Sequence, residues 1–128
     1  MNIEYTSNGV VFSVNLESKV NIIFDDSGTG KSFFFETLKD YCKLKNIDYS
    51  FFNYQTSNTK NKLINVKDDE LVIMDNADLY LTRDILNELK TGKCIIILSI
   101  KNFHNIGLRD STLYTVDYTE NRFTLRRL

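Results

Sequence analysis

One stretch of the chain, residues 20–32, constrains the fold more than any other. It reads VNIIFDDSGTGKS: a short β-branched run, then a turn that contains glycine, then the start of a helical pattern. A run of this kind is typical of a buried strand, and Gly28 and Gly30 let the backbone turn sharply before Lys31. The 128 residues include no proline and only 5 glycines. Two glycines so close together therefore indicate a turn with a specific role.

The residue types that follow this strand suit a bound phosphate chain. Glycines let successive backbone N–H groups face one concavity, and the start of a helix adds unpaired N–H groups and the positive end of its dipole. Lys31 adds a positive point charge at the same place, and Ser32 adds a hydroxyl. The residues of this predicted phosphate site are Ser27, Gly28, Thr29, Gly30, Lys31, Ser32 and Phe33.

Gly30-Lys31-Ser32, placed between a strand and a helix, resembles the Walker A motif G-x-x-x-x-G-K-[ST] of the P-loop NTPase superfamily. The first glycine of that motif is replaced by Asp25, whose carboxylate must turn away from the phosphates. The resemblance covers about residues 20 to 100. It implies a P-loop fold whose phosphate site binds ATP or another nucleoside triphosphate with Mg²⁺. By the same resemblance, Lys31 would reach the β- and γ-phosphates and the hydroxyl of Ser32 would bind Mg²⁺. No L-S-G-G-Q or N-K-x-D motif is present, so the subfamily is not identified.

A second strand signal ends in an acidic residue. Residues 71–75 read LVIMD, which resembles the Walker B strand, and ligands of such sheets bind beyond the carboxyl ends of the strands. The predicted metal ligands are therefore Ser32 and Asp75.

In many ATPases of this superfamily a glutamate follows the aspartate, but here the next residue is Asn76. The predicted catalytic residues are Lys31, Asp75 and Asn76. Because an amide cannot take a proton from water, hydrolysis is expected to be slow or partner-dependent. A strand that merely ends in a turn aspartate is the alternative.

The most hydrophobic strand signal, residues 94–98, is followed by Ser99. Some P-loop families place a polar residue near the γ-phosphate at this point, so Ser99 is a predicted nucleotide-binding residue and Asn102 is a second candidate. An ordinary polar turn explains the same pattern. Asp78 could replace the missing glutamate only if the turn after Asp75 brings it back towards the site.

The remaining segments predict an α/β fold in one domain, residues 1–128. A hairpin around Asn8-Gly9 opens the chain, and an aromatic strand covers 48–54. Between them a helix spans about 31–45, with Phe34, Leu38 and Tyr41 or Cys42 at helical spacing on its apolar face. Residues 55–69 read as a loop with a short helix, Thr82 caps a helix that Gly92 ends, and 113–128 form a C-terminal hairpin. We expect a P-loop NTPase-like three-layer core with a mostly parallel sheet, flanked by an N-terminal and a C-terminal β-hairpin.

The charge and hydropathy patterns exclude several classes of protein. With 16 basic and 17 acidic residues the net charge is -1. We therefore do not expect the protein to coat nucleic acid through its net charge, although a local basic patch could still contact nucleic acid. The apolar runs are shorter than the ~20 residues that a membrane helix needs. We expect no signal peptide, because the first residues do not show a charged stretch followed by an apolar one. Cys42 and Cys94 are expected to be reduced core thiols. A cytoplasmic protein is therefore the expectation.

Two functions follow. The first is a nucleotide-binding P-loop protein, a slow ATPase or a nucleotide switch, that acts on another protein or within a homo-oligomer. The second is a non-catalytic interaction protein on a degenerate P-loop scaffold, such as a phage or mobile-element accessory factor that binds a host protein or DNA. Lys31 and Ser32 favour the first; Asp25 and Asn76 favour the second.

Overall fold

The computed structural model describes residues 1–24, 31–56, 60–102 and 110–128. Within these ranges it contains eight strands, three α-helices and one short 3-10 helix. The strands are β1 (Asn2–Ser7), β2 (Val10–Asn15), β3 (Val20–Phe24), β4 (Tyr49–Phe52), β5 (Leu71–Met74), β6 (Ile95–Ile100), β7 (Ser111–Thr119) and β8 (Arg122–Arg127). The helices are α1 (Lys31–Lys45), α2 (Lys60–Ile64) and α3 (Arg83–Leu89), with the 3-10 helix at Ala77–Leu79.

All eight strands belong to one sheet, in the order β1-β2-β8-β7-β3-β6-β5-β4. Five neighbouring strands, β7, β3, β6, β5 and β4 in their order across the sheet, pair in parallel. The pairs β1–β2 and β7–β8 are antiparallel hairpins. The sheet is mixed and curls into a half-barrel accompanied by short helices. The predicted three-layer core with a mostly parallel sheet is therefore wrong.

The hairpins are the physical reason for this difference. Both form, but β2 pairs in parallel with β8, and Phe12 lies opposite Phe123. This pairing builds the hairpins into the main sheet, so that four of the eight strand positions belong to them. Strand twist accumulates across so many strands and curls the sheet. Periodicity within a segment carries no information about such a pairing, because it joins residues that are far apart in the chain.

The central strands separate two apolar clusters. Successive side chains of a strand point to opposite faces, so Ile22 joins one cluster and Ile23 the other, as do Val72 and Ile73. The first cluster also takes residues of α3, such as Leu86, and the second takes residues of α1. Strands buried on both faces read as continuous apolar runs, which is why the sequence indicates β3, β5 and β6 so clearly.

Helix α1 has the predicted bounds and buries the predicted face. Phe34, Leu38 and Cys42 recur at helical spacing and are fully buried. Cys42 and Cys94 are both free, buried thiols, as expected. Burial raises the pKa of the Cys42 thiol from 9.0 to about 11, with a smaller contribution from the Glu70 carboxylate. The thiol therefore remains protonated at neutral pH.

The two glycines in the described part of the chain act in different ways. Gly9 follows Asn8 in the β1–β2 turn, and both residues have positive φ, 78° and 51°, as the Asn-Gly signal predicts. Gly92 follows α3 and does not have a positive φ; it must be glycine because a side chain has no room there. A Cβ at this position would lie 2.0 Å from the carbonyl oxygen of Lys67.

Candidate functional site

Lys31 is the first residue of α1 and, among the residues that the structure describes, the one buried residue that carries a charge, with 7% of its surface exposed. Its ammonium donates a hydrogen bond of 2.8 Å to Oδ1 of Asn76. The same ammonium lies 3.5 Å from Oδ1 of Asp75. The first helical turn contains no acidic residue. The positive charge is therefore balanced from across the sheet and not from its own helix.

Asp75 and Asn76 follow β5 directly. The backbone N–H of Asp75 continues the ladder by donating to the carbonyl of Phe52, at 2.8 Å. Asn76 then adopts the left-handed conformation, with φ 51° and ψ 48°, and begins the 3-10 helix. Asparagine tolerates this conformation better than most residues. The sharp turn directs its amide towards Lys31.

Ser99, in β6, connects these groups. Its hydroxyl donates to Oδ1 of Asp75 at 2.9 Å and accepts from the backbone N–H of Asn76 at 2.8 Å. The strand register explains this placement. Met74 pairs with Leu98, so the next residue of each strand, Asp75 and Ser99, lies at the same level. Ser99 is only 1% exposed, which makes these bonds strong constraints on the Asp75 carboxylate.

The structure thus brings together four residues that the sequence singled out: Lys31, Asp75, Asn76 and Ser99. Ser32 is exposed on the first turn of α1. Phe33 is 41% exposed and packs against Phe123, with ring centroids 5.6 Å apart. Residues Asp25, Ser27, Gly28, Thr29 and Gly30, which complete the predicted phosphate loop, lie outside the described residues.

Tyr80 belongs to the same neighbourhood, and sequence reasoning missed it. Its hydroxyl donates to the carbonyls of Asp75, at 2.9 Å, and Phe52, at 3.2 Å. Burial, with the negative charges of Asp75 and Asp78, raises its pKa well above the usual value. The phenol is therefore a fixed donor that anchors the turn after β5. A tyrosine five residues after the strand carries no recognisable sequence signal.

Asp78 does not return towards Lys31. Its Oδ2 accepts from the backbone N–H of Asn102 at 3.2 Å, which links the 3-10 helix to the segment after β6. Within the described ranges its Oδ1 is buried without a hydrogen-bond partner. The side chain of Asn102 is exposed.

Within the described residues, no three His, Cys, Asp or Glu side chains are grouped so that they could hold a metal ion. Asp75 is the acidic oxygen donor beside Lys31, and about a quarter of its side chain, 24%, is exposed. In the part of the chain that the structure describes, no helix is long and apolar enough to cross a bilayer.

The sequence matches no protein-family model and no curated protein. Among solved structures it is similar to a chain described as the crystal structure of a DNA replication initiation factor, with a TM-score of 0.49 and 17% sequence identity. The match covers 72% of this chain and 36% of that chain. The chain therefore spans little more than a third of the structure it matches, and a likeness of this degree assigns neither family nor function.

Proposed function

We propose that this chain binds a nucleoside triphosphate with Mg²⁺, ATP in the first instance, through Lys31 at the start of α1. The observation that supports this is the position of Lys31: a nearly buried ammonium at the N-terminus of a fifteen-residue helix. A cation at this end of a helix is repelled by the dipole, and burial of its charge costs free energy unless the charge is paired. Asp75 and Asn76 pair the ammonium in the structure, but they do not remove its unfavourable interaction with the helix dipole, which a bound anion would offset.

The residues around Lys31 fit Mg²⁺ as a companion of the phosphates. Mg²⁺ takes hard oxygen ligands and usually combines one or two protein oxygens with phosphate oxygens and water. Ser32 is an exposed residue of the first turn of α1, and Asp75 offers a partly exposed carboxylate just after β5, which β6 separates from β3. When bound, the ion would neutralise phosphate charge. Ser99 would hold the Asp75 carboxylate in place through its hydrogen bond to Oδ1.

Asn76 limits what the site does next. Its Oδ1 accepts the hydrogen bond of Lys31, so the amide competes with an incoming phosphate for the same ammonium. An amide can orient a water molecule but cannot accept its proton. We therefore propose slow hydrolysis, or hydrolysis that depends on a group from a partner, so that the bound nucleotide acts as a switch.

The amide at position 76 also favours a second candidate, a non-catalytic interaction protein on the same scaffold. The two functions differ in whether a nucleotide binds at all. In the first, the bound nucleotide stabilises the fold. In the second, Lys31 and Asp75 form a structural ion pair, and no nucleotide affects stability.

A thermal-shift titration with ATP, ADP, GTP and GDP, each with Mg²⁺, tests the proposal. Ligand at one hundred times Kd adds about 2.7 kcal/mol of stability, and we expect ATP to raise Tm by several degrees. Lys31→Ala should remove the shift. Lys39→Ala, which removes a half-buried lysine of the same helix that pairs with Glu36 and lies over the ring of Phe51, should retain it. Absence of a shift with every nucleotide in the unmodified protein would overturn the proposal.

A further inference from the structure

Two exposed aromatic rings each contact one buried ring, that of Phe123 in β8. Phe33 is 41% exposed and Tyr118 is 52% exposed, while Phe123 is fully buried. The ring centroids of Phe33 and Tyr118 lie 5.6 and 6.3 Å from that of Phe123. The hydroxyl of Tyr118 donates to Oδ1 of Asn121 at 3.3 Å, which restrains the ring. We call Phe33 and Tyr118 the aromatic pair.

The aromatic pair lies at the same end of the sheet as Lys31. Strand β7 runs parallel to β3, and Tyr114 is the partner of Ile23. Tyr118 is four residues further along β7, about 13 Å beyond that level at roughly 3.3 Å per residue. It faces Phe123 directly in the β7–β8 hairpin. The β7–β8 hairpin therefore projects beyond the carboxyl end of β3. Helix α1 begins at this same end of the sheet, and Phe33 is its third residue.

Lys31 and Phe33 reach opposite sides of that helix start. Residues two apart in an α-helix point about 200° from each other. The ammonium of Lys31 meets Asp75 and Asn76 beyond β5, whereas the ring of Phe33 meets Phe123 of β8. An anion site and an apolar, aromatic site thus lie on the two sides of the start of α1. A nucleotide has this polarity, because sugar separates its phosphates from a planar base.

We infer that Phe33 and Tyr118 hold the nucleobase of the nucleotide whose phosphates lie at Lys31, an inference that rests on the proposed function. Other exposed large apolar side chains in the described ranges are Leu44, Tyr54, Leu79 and Leu128; single exposed residues of this kind are ordinary. Phe33 and Tyr118 differ from them because they share one ring neighbour and lie beside an anion site. Stacking on aromatic rings accepts every base, so ATP and GTP should bind with similar affinity.

Calorimetric titration with two probes tests the inference: ATP with Mg²⁺, and tripolyphosphate with Mg²⁺, which has no base. In the unmodified protein ATP should bind about ten-fold more tightly or better, the size expected of one stacked base. Phe33→Ala and Tyr118→Ala should each remove most of this advantage, and Tyr118→Ala, which lies outside the predicted phosphate site, should leave the tripolyphosphate affinity unchanged. Tyr118→Phe, which retains the ring, should retain the advantage.

The controls separate this inference from the proposed function. Tyr54→Ala removes an exposed tyrosine just after β4, which is an edge strand of the sheet, and should change neither affinity. Lys31→Ala should weaken both probes together. If neither probe binds the unmodified protein, the proposed function fails and the inference fails with it. If both bind but the ATP advantage survives Phe33→Ala and Tyr118→Ala, only the inference is overturned. It is overturned in the same way if these variants lose affinity for a single-stranded oligonucleotide and keep the ATP advantage.

Discussion

Lys31 and Asn76 are 45 residues apart in the chain, yet the ammonium of one donates a 2.8 Å hydrogen bond to the side-chain oxygen of the other. The bond joins the start of α1 to the end of β5, and Ser99 holds the backbone of Asn76 from β6. An amide at this position does two things. Its oxygen accepts the hydrogen bond of the Lys31 ammonium, and an amide supplies no proton acceptor for the hydrolysis that we propose.

Replacement of Asn76 by glutamate should raise nucleotide turnover. The change supplies the missing proton acceptor, and general-base catalysis typically contributes about 10²–10⁴-fold. We expect about ten-fold, because the left-handed backbone at this position and competition from Lys31 hold the carboxylate away from its best position. The measurement is phosphate release at saturating ATP–Mg²⁺. Asn76→Gln has the length of glutamate without the acid and should stay slow; fast turnover in the unmodified protein would contradict the prediction.

Ser99→Ala should destabilise the fold and loosen the site together. The hydroxyl is buried and has two partners, the Asp75 carboxylate and the Asn76 N–H, and loss of a buried partner costs about 1–3 kcal/mol. Urea unfolding measures this loss. Ser13→Ala is the matched control, because that hydroxyl bonds Glu4 at the surface, and it should change stability by less than about 0.5 kcal/mol. Equal effects in the two variants would refute the role given to Ser99.

Gly92→Ala should cost more stability than Gly9→Ala, although only Gly9 has a positive φ. At Gly9 a methyl group meets open space, and the cost is that of the left-handed backbone, about 1 kcal/mol. At Gly92 the methyl group meets the carbonyl of Lys67 at 2.0 Å. That carbonyl accepts from the N–H of Cys94, so main chain must move; we expect about 2–3 kcal/mol. Urea midpoints of the two variants decide the order, and the reverse order would show that backbone conformation dominates.

The buried thiol of Cys42 predicts a loss of stability in alkali. Its pKa is raised from 9.0 to about 11 in the folded state. Below about pH 9 the Cys42 thiol is protonated in both the folded and the unfolded state, so its titration does not change the free energy of unfolding. Between pH 9 and 11 the unfolded chain releases it while the folded chain retains it, and this favours unfolding by up to about 3 kcal/mol.

Unfolding free energies at pH 8, 9, 10 and 11 measure this effect. Tyr80 and Cys94 have raised pKa values as well, so the free energy of unfolding of the unmodified protein should fall steeply as the pH rises. Cys42→Ala should start from a lower stability, because it leaves a cavity, but should decline less between pH 9 and 11. Parallel curves would contradict the assignment to Cys42.

Local signals in the sequence predicted the local structure well. The apolar spacing of Phe34, Leu38 and Cys42 set α1, and the side chain of Thr82 caps α3 by accepting from the N–H of Ile85, as its type predicts. The Asn8-Gly9 turn also formed where expected. Each of these features depends on interactions within a few residues, so the chemistry of neighbouring side chains is sufficient to specify it.

The pairing of strands that are far apart in the chain could not be predicted from the sequence. The parallel contact of β2 with β8 turned two hairpins into part of one mixed, curled sheet. That arrangement depends on strand twist and on packing between distant residues such as Phe12 and Phe123, whose rings stack with centroids 5.5 Å apart. The position of Tyr80 under the Asp75 turn and the left-handed backbone of Asn76 were also missed.

The sequence by itself determined which residues stand at the ends of the apolar strands and at the start of α1, since hydrophobic runs and polar breaks are local properties. It therefore selected Lys31, Asp75, Asn76 and Ser99. Only the tertiary structure decided that they meet, because their contacts depend on β6 lying between β3 and β5 in a register that levels Ser99 with Asp75. Register is fixed by the packing of both apolar clusters at once, and no single segment of the chain contains that information.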